Sequence, residues 1–128
     1  MDFLITGTQV YGPTSPDSDL DIVVKHKDAF RIYKFLTDHD IKWYRTESQD
    51  DYGDTGGFYF DFVDMKINII IAIDDSEFNR WRERTDKMKK LPEIPDRDLR
   101  VDVFNSSLPM DTLRRTVEGL LKGTLTKV

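Results

Sequence analysis

The chain has 128 residues, 38% of them hydrophobic and 34% charged, with a formal net charge of −5 and no cysteine. That length fits one domain around a modest core, and the composition excludes a disordered chain. Disulfides, thiolate metal sites and a cysteine nucleophile are excluded outright, and no apolar run is long enough for a membrane-spanning helix.

Met1–Gly7 has neither a basic flank nor a long apolar run, so no secretory signal is read and a cytoplasmic location is expected. The charge is uneven. Residues 1–75 carry 15 Asp/Glu against 7 Lys/Arg, and residues 76–128 carry 9 against 12. An acidic first half suits a cation site, and a basic second half suits phosphate or an acidic partner. Two histidines and no cysteine make zinc a poor candidate.

In chain order, residues 2–6 read as a short strand and residues 7–18 as a loop rich in turn formers. Residues 19–25 alternate and then become β-branched, which predicts a second strand. Asp28 is a candidate cap for a helix to about Asp38, and residues 41–47 form a third strand. The polar segment 48–57 reads as the most mobile loop. Strands 58–63 and 66–73 follow, joined at Asp64-Met65. The second is the most apolar stretch and so the expected central strand. Asp74-Asp75-Ser76 opens a helix to about Lys90, which Pro92 and Pro95 end. Helices over 96–106 and 110–121 close the chain. Strands first and helices afterwards predict an α+β fold: a mixed sheet packed against helices, with a helical C-terminal part. One domain is expected over 1–128, with 1–75 as the sheet core and 76–128 as a helical closing segment.

Two features of the first half carry chemistry. Asp19 and Asp21 stand two apart on one strand, so both side chains face the same way. Neighbouring carboxylates repel unless a cation lies between them, and hard oxygen ligands select Mg²⁺ or Mn²⁺. Upstream, Gly7-Thr8 ends the first strand with a residue that lets backbone N–H groups approach a phosphate, followed by a hydroxyl. Phosphoryl transfer needs both parts, since it is catalysed mainly by positioning and charge neutralisation.

Gly7-Thr8, a short spacer and then Asp19-Leu20-Asp21-Ile22 resemble the signature of the polymerase-β-like nucleotidyltransferase superfamily. The loop residues Tyr11-Gly12 and Pro16-Asp17-Ser18 match its small members. More loosely, Asn68-Ile69-Ile70, Phe78-Asn79-Arg80-Trp81 and Arg100–Phe104 are similar to small bacteriophage-encoded proteins of that fold. The resemblance implies that Gly7 and Thr8, with Ser18 from the same loop, hold the phosphates of a nucleoside triphosphate, and that Asp19 and Asp21 bind Mg²⁺ or Mn²⁺. It also implies a third carboxylate on a later strand.

That later position is Asn68, which offers a neutral oxygen to a metal and cannot take a proton. Asp61 is a candidate replacement. If Asp64-Met65 is a two-residue turn, Asp61 lies directly opposite Asn68, about 5 Å away on the same face. A three-residue turn instead pairs it with Ile69 and sends it to the other face. Lys66 is a candidate contact to the triphosphate, and Tyr11 a candidate stacking partner for the base. Arg80, Arg84 and Lys87 share a helix face, as a surface for nucleic acid or an acidic partner or simply as solvated charge.

The implied activity is transfer of a nucleoside monophosphate to a hydroxyl acceptor on a protein, small molecule or RNA. The alternative is a catalytically reduced protein of the same fold that works by binding nucleotide or protein, for instance a phage-encoded modulator of a host protein.

Overall fold

The computed structural model describes residues 1–15, 18–46 and 56–123. Among these are five strands: β1 (Phe3–Thr6), β2 (Leu20–Lys25), β3 (Tyr44–Arg45), β4 (Gly57–Phe62) and β5 (Met65–Ala72). Five helices accompany them: α1 (Thr8–Tyr11), α2 (His26–Asp38), α3 (Asp75–Lys89), α4 (Arg97–Asn105) and α5 (Met110–Leu121). The strands form one mixed sheet in the order β1-β2-β5-β4-β3, with only the β2–β5 pair parallel. The fold is α+β, and the apolar strand β5 is central, as its composition predicts.

Each sheet face is covered by a different set of helices. On one face Val24, Phe58 and Ile69 pack with Leu36 of α2, joined at the edge by Tyr33 and Trp43. Tyr33 lies 4.7 Å from Trp43 and 4.4 Å from Phe58, ring centre to ring centre. On the other face Val23 and Ala72 meet Tyr11, Phe78, Trp81 and Phe104 in a cluster that also takes in Leu113 and Val117 of α5. This second cluster ties α1 and the three C-terminal helices to the sheet. A buried 2.6 Å hydrogen bond between the hydroxyls of Thr6 and Thr85 fixes α3 to the end of β1. Breaking it from one side strands a buried hydroxyl, at a cost of about 1–3 kcal/mol.

The helix ends follow capping chemistry. Asp74 accepts from the Glu77 N–H at 2.8 Å, and Asp96 accepts from the Asp98 N–H at 3.0 Å. Lys87 Nζ donates to the carbonyls of Phe104 and Ser106, 2.9 Å each, and so satisfies the end of α4. Arg84 Nη1 donates to Asn105 Oδ1 at 3.3 Å. Burial, and then the neighbouring Arg84 charge, lower the Lys87 pKa; burial, and then Arg80, lower that of Arg84. Two members of the basic stripe on α3 thus help to join α3 to α4.

Four expectations change. The stretch after Gly7 is not all loop: Thr8–Tyr11 make one helical turn, because Gly7 turns the chain at φ +79° and Tyr11 is drawn into the core. Helix α2 starts at His26 directly after the strand, with Lys25 at its cap position. Asp28 lies inside the first turn, where a carboxylate suits the helix dipole. The third strand is only Tyr44–Arg45 among the described residues. Finally, the hairpin turns at Val63-Asp64, both at positive φ, and not at Asp64-Met65. The expected mobile loop falls, over 48–55, outside the described residues, as do Pro16 and Asp17.

Candidate functional site

The strand register lines up one row of residues across the whole sheet. Thr6 pairs with Asp21, Asp21 with Asn68, Asn68 with Tyr59, and Tyr59 with Tyr44. Paired positions share a face, so all five project to the side that carries the C-terminal helices. Those helices cover only part of that face. Thr6 is buried under α3, Asp21 and Asn68 are half-buried, and Tyr44 is exposed. The row therefore runs from core to open surface, with a carboxylate and an amide at the boundary.

Asp19 and Asp21 converge at that boundary. The Asn68 amide nitrogen donates to Asp19 Oδ2 at 3.2 Å and to Asp21 Oδ1 at 2.9 Å. Asp19 immediately precedes β2, and the alternation through Leu20 returns both carboxylates to one side. Gly7 abuts the same group: a Cβ there would run into the Asp21 carboxylate. Its φ of +79° with ψ of −169° is a conformation open essentially to glycine alone. The glycine turn and the acid pair are thus neighbours, as the sequence spacing predicts. Thr8 follows as the first residue of α1, and its carbonyl accepts from the Gly12 N–H at 2.9 Å and the Thr14 hydroxyl at 3.0 Å.

Beyond Asn68 lies a cleft of about 770 Å³, lined by Trp43, Tyr44, Arg45, Tyr59, Lys66 and Asn68 among others. Tyr44 and Tyr59 stack with ring centres 5.3 Å apart and planes 28° from parallel. Lys66 Nζ sits 4.4 Å from the Tyr59 ring centre, a cation–π distance.

The other candidates are placed as follows. Lys66 lies on the face of Asn68, two residues before it on β5, and lines the cleft. Tyr11 is only 8% exposed, with its ring 6.4 Å from that of Phe104; it is a core residue, and stacking on a base is overturned. The Ser18 hydroxyl accepts from the Ser15 N–H at 2.9 Å and bonds the Ser15 hydroxyl at 3.1 Å, so it shapes its own loop. Asp61 pairs with Lys66, and Tyr59 stands opposite Asn68, which corrects the expected Asp61–Asn68 pairing. The reason is the Val63-Asp64 turn, which moves the register by two residues. A shift of two keeps Asp61 on the face of Asn68 but carries it toward the hairpin, where it is exposed.

Asn68 meets the carboxylates through its N–H₂ group, as a hydrogen-bond donor. Its nitrogen lies within hydrogen-bond distance of both anions. Among the described residues no group of three or more His, Asp, Glu or Cys side chains is gathered for a metal. The donor set that could take a hard divalent ion is the two convergent carboxylates, Asp19 and Asp21, which the Asn68 amide bridges.

Sequence reasoning missed Tyr59 and Tyr44 as cleft residues. The signal was present in Gly57–Phe62. There Phe58, Phe60 and Phe62 alternate with Tyr59 and Asp61, which marks the second set as the less apolar face.

Compared with known proteins, the chain matches no protein-family model and none of the curated proteins. Among the described residues no helix is long and apolar enough to cross a membrane.

Proposed function

We propose that this protein is a nucleotidyltransferase, moving a nucleoside monophosphate from a nucleoside triphosphate to a hydroxyl acceptor. The observation that supports this most is the convergence of Asp19 and Asp21 on one amide, with Gly7 packed against Asp21. The order of parts along the row, glycine turn, acid pair and then cleft, suits a triphosphate laid across the strand ends. The antiparallel β1–β2 and parallel β2–β5 pairings suit the nucleotidyltransferase-like arrangement.

Asp19 and Asp21 would hold Mg²⁺ or Mn²⁺, which supplies charge neutralisation of the phosphate oxygens. Gly7 lets the Asp21 carboxylate lie directly against the turn, and the Thr8 hydroxyl would donate to a phosphate there. Lys66 offers a positive charge on the cleft side. Asp61, on this face nearer the hairpin, would take the acceptor's proton. Asn68 cannot take that proton.

Pyrophosphate release is the direct assay. The wild type, given each of the four ribonucleoside triphosphates with Mg²⁺, should release pyrophosphate in the presence of its acceptor. Asp19→Asn should lower the rate at least about a hundredfold, since phosphoryl transfer rests on charge neutralisation. Undiminished release from that variant would count decisively against the assignment.

Asn68 favours a second reading. An amide that already bridges the carboxylates stabilises the pair without any cation, as suits a catalytically reduced protein of this fold that works by binding nucleotide or a protein partner, such as a host protein if the chain is phage-encoded. Nucleotide that raises the melting temperature with no turnover would select this reading, because a ligand of the native state alone must stabilise it.

A further inference from the structure

We infer that the cleft between β3, β4 and β5 is a nucleobase site, in which Tyr44 and Tyr59 form a stacking platform and Lys66 takes a phosphate of the same nucleotide. The inference rests on the reading of the acid pair just given, and names what lies on its far side.

Three observations carry it. The first is the row itself: Tyr59 and Tyr44 are the next two paired positions after Asp21 and Asn68, so the rings begin one strand spacing from the amide that joins the carboxylates. The second is ring geometry. The two tyrosines lie nearly parallel at 5.3 Å, and Tyr44, 47% exposed, ends the stack on the open side. A stacked pair ending in an open ring is a surface that accepts another planar ring of any base identity.

The third concerns Lys66. Asp61 is its direct cross-strand partner, yet among the described residues no ion pair joins them. The ammonium lies instead over the Tyr59 ring, between the aromatic pair and the amide. A cation held by a ring keeps its charge available, because the ring does not neutralise it. An open ring at Tyr44, with an available ammonium across Tyr59 and one strand from a carboxylate pair suited to Mg²⁺, matches a nucleobase at the outer end whose phosphates run back toward β5 and β2.

That chemistry has two sources: the base of the nucleoside triphosphate, or the terminal nucleotide of a single-stranded nucleic-acid acceptor. Equilibrium binding with three probes separates them: Mg·ATP, Mg·tripolyphosphate, and a short single-stranded oligonucleotide without Mg²⁺. If the cleft holds the base of the triphosphate, Mg·ATP binds about tenfold or more tighter than Mg·tripolyphosphate. Tyr44→Ala then reduces ATP to the tripolyphosphate level and leaves tripolyphosphate unchanged, while Tyr59→Ala, which also removes the ring under Lys66, weakens both, and Tyr59→Phe restores both. If it holds a strand end, the oligonucleotide binds and loses about tenfold in the same alanine variants. Unchanged tripolyphosphate affinity in Tyr44→Ala shows that the acid pair is intact, so a folding defect is not mistaken for lost stacking. Equal binding of ATP and tripolyphosphate, with no oligonucleotide binding, overturns the nucleobase site and leaves the acid pair's reading standing. No binding of any probe overturns both.

Discussion

Asn68 decides more about this protein than any other single side chain. Two carboxylates two residues apart on a strand are an electrostatic cost, and the structure offsets it with one amide that donates to both. Replacing that amide by a third carboxylate removes both donors and adds a charge. Asn68→Asp is therefore expected to lower stability by about 1–3 kcal/mol in the absence of divalent cation. It should also recover most of that loss on adding Mn²⁺, while the wild type responds less. Thermal denaturation of both proteins with and without Mn²⁺ is the check; an Asn68→Asp protein indifferent to Mn²⁺ would contradict a cation position between these groups. At this scale the sequence was legible where chemistry is local. Asp19, Asp21 and Gly7 were readable because strand alternation and a glycine before a hydroxyl constrain geometry by themselves. Tyr11 was not, since nothing local distinguishes an aromatic ring in a loop from one turned into a core by a single helical turn.

The elements show the same limit in the hairpin. Its two strands were readable from alternation, but their register depended on which residues turn. Val63 and Asp64 both take positive φ, 50° and 63°, an arrangement that normally calls for Asn-Gly and is costly for a β-branched side chain. The sequence therefore advertised no turn at that point, and the predicted register was off by two. The error was benign for the face of Asp61 because side chains alternate with period two. Val63 is 81% exposed, so the strain is not repaid by packing. Val63→Asn should stabilise the protein by about 1 kcal/mol, read as a higher urea midpoint with unchanged slope. A lower midpoint would show that Val63 makes a contribution beyond the turn. Helices α3 and α5 were legible almost to the residue, through Asp74 as cap at the start of one and Pro109 before the other.

Among the described residues the sheet is covered in part on each face, by α2 on one and by the C-terminal helices on the other, and the acid pair and the cleft lie where the second cover ends. That partial cover was not legible in sequence, because it depends on where three C-terminal helices settle across a sheet formed by the first half. Lys25 marks one seam of that assembly. Its ammonium lies 3.1 Å from Asp75 at the start of α3 and 3.5 Å from Asp2 before β1. The hydrogen bond to Asp75, first of all, and the charges of both carboxylates raise its pKa against a smaller opposing effect of burial. A lysine whose folded pKa exceeds its unfolded one stabilises fully below the ordinary value of 10.5 and loses that contribution as pH rises through the folded value. Wild-type stability should thus fall above pH 10.5 by more than that of Lys25→Met, as followed by urea denaturation at pH 8, 10 and 11; parallel losses would show that the seam does not rest on this charge.

The most direct measurement is a crystal structure with a non-hydrolysable nucleoside triphosphate and Mn²⁺, read by the manganese anomalous signal. The expected result is one Mn²⁺ coordinated by both Asp19 and Asp21, with the phosphates passing Gly7 and Thr8 and the Asn68 amide turned away from at least one carboxylate. Triphosphate bound elsewhere, or an acid pair still bridged by Asn68 with no manganese beside it, would contradict the central claim.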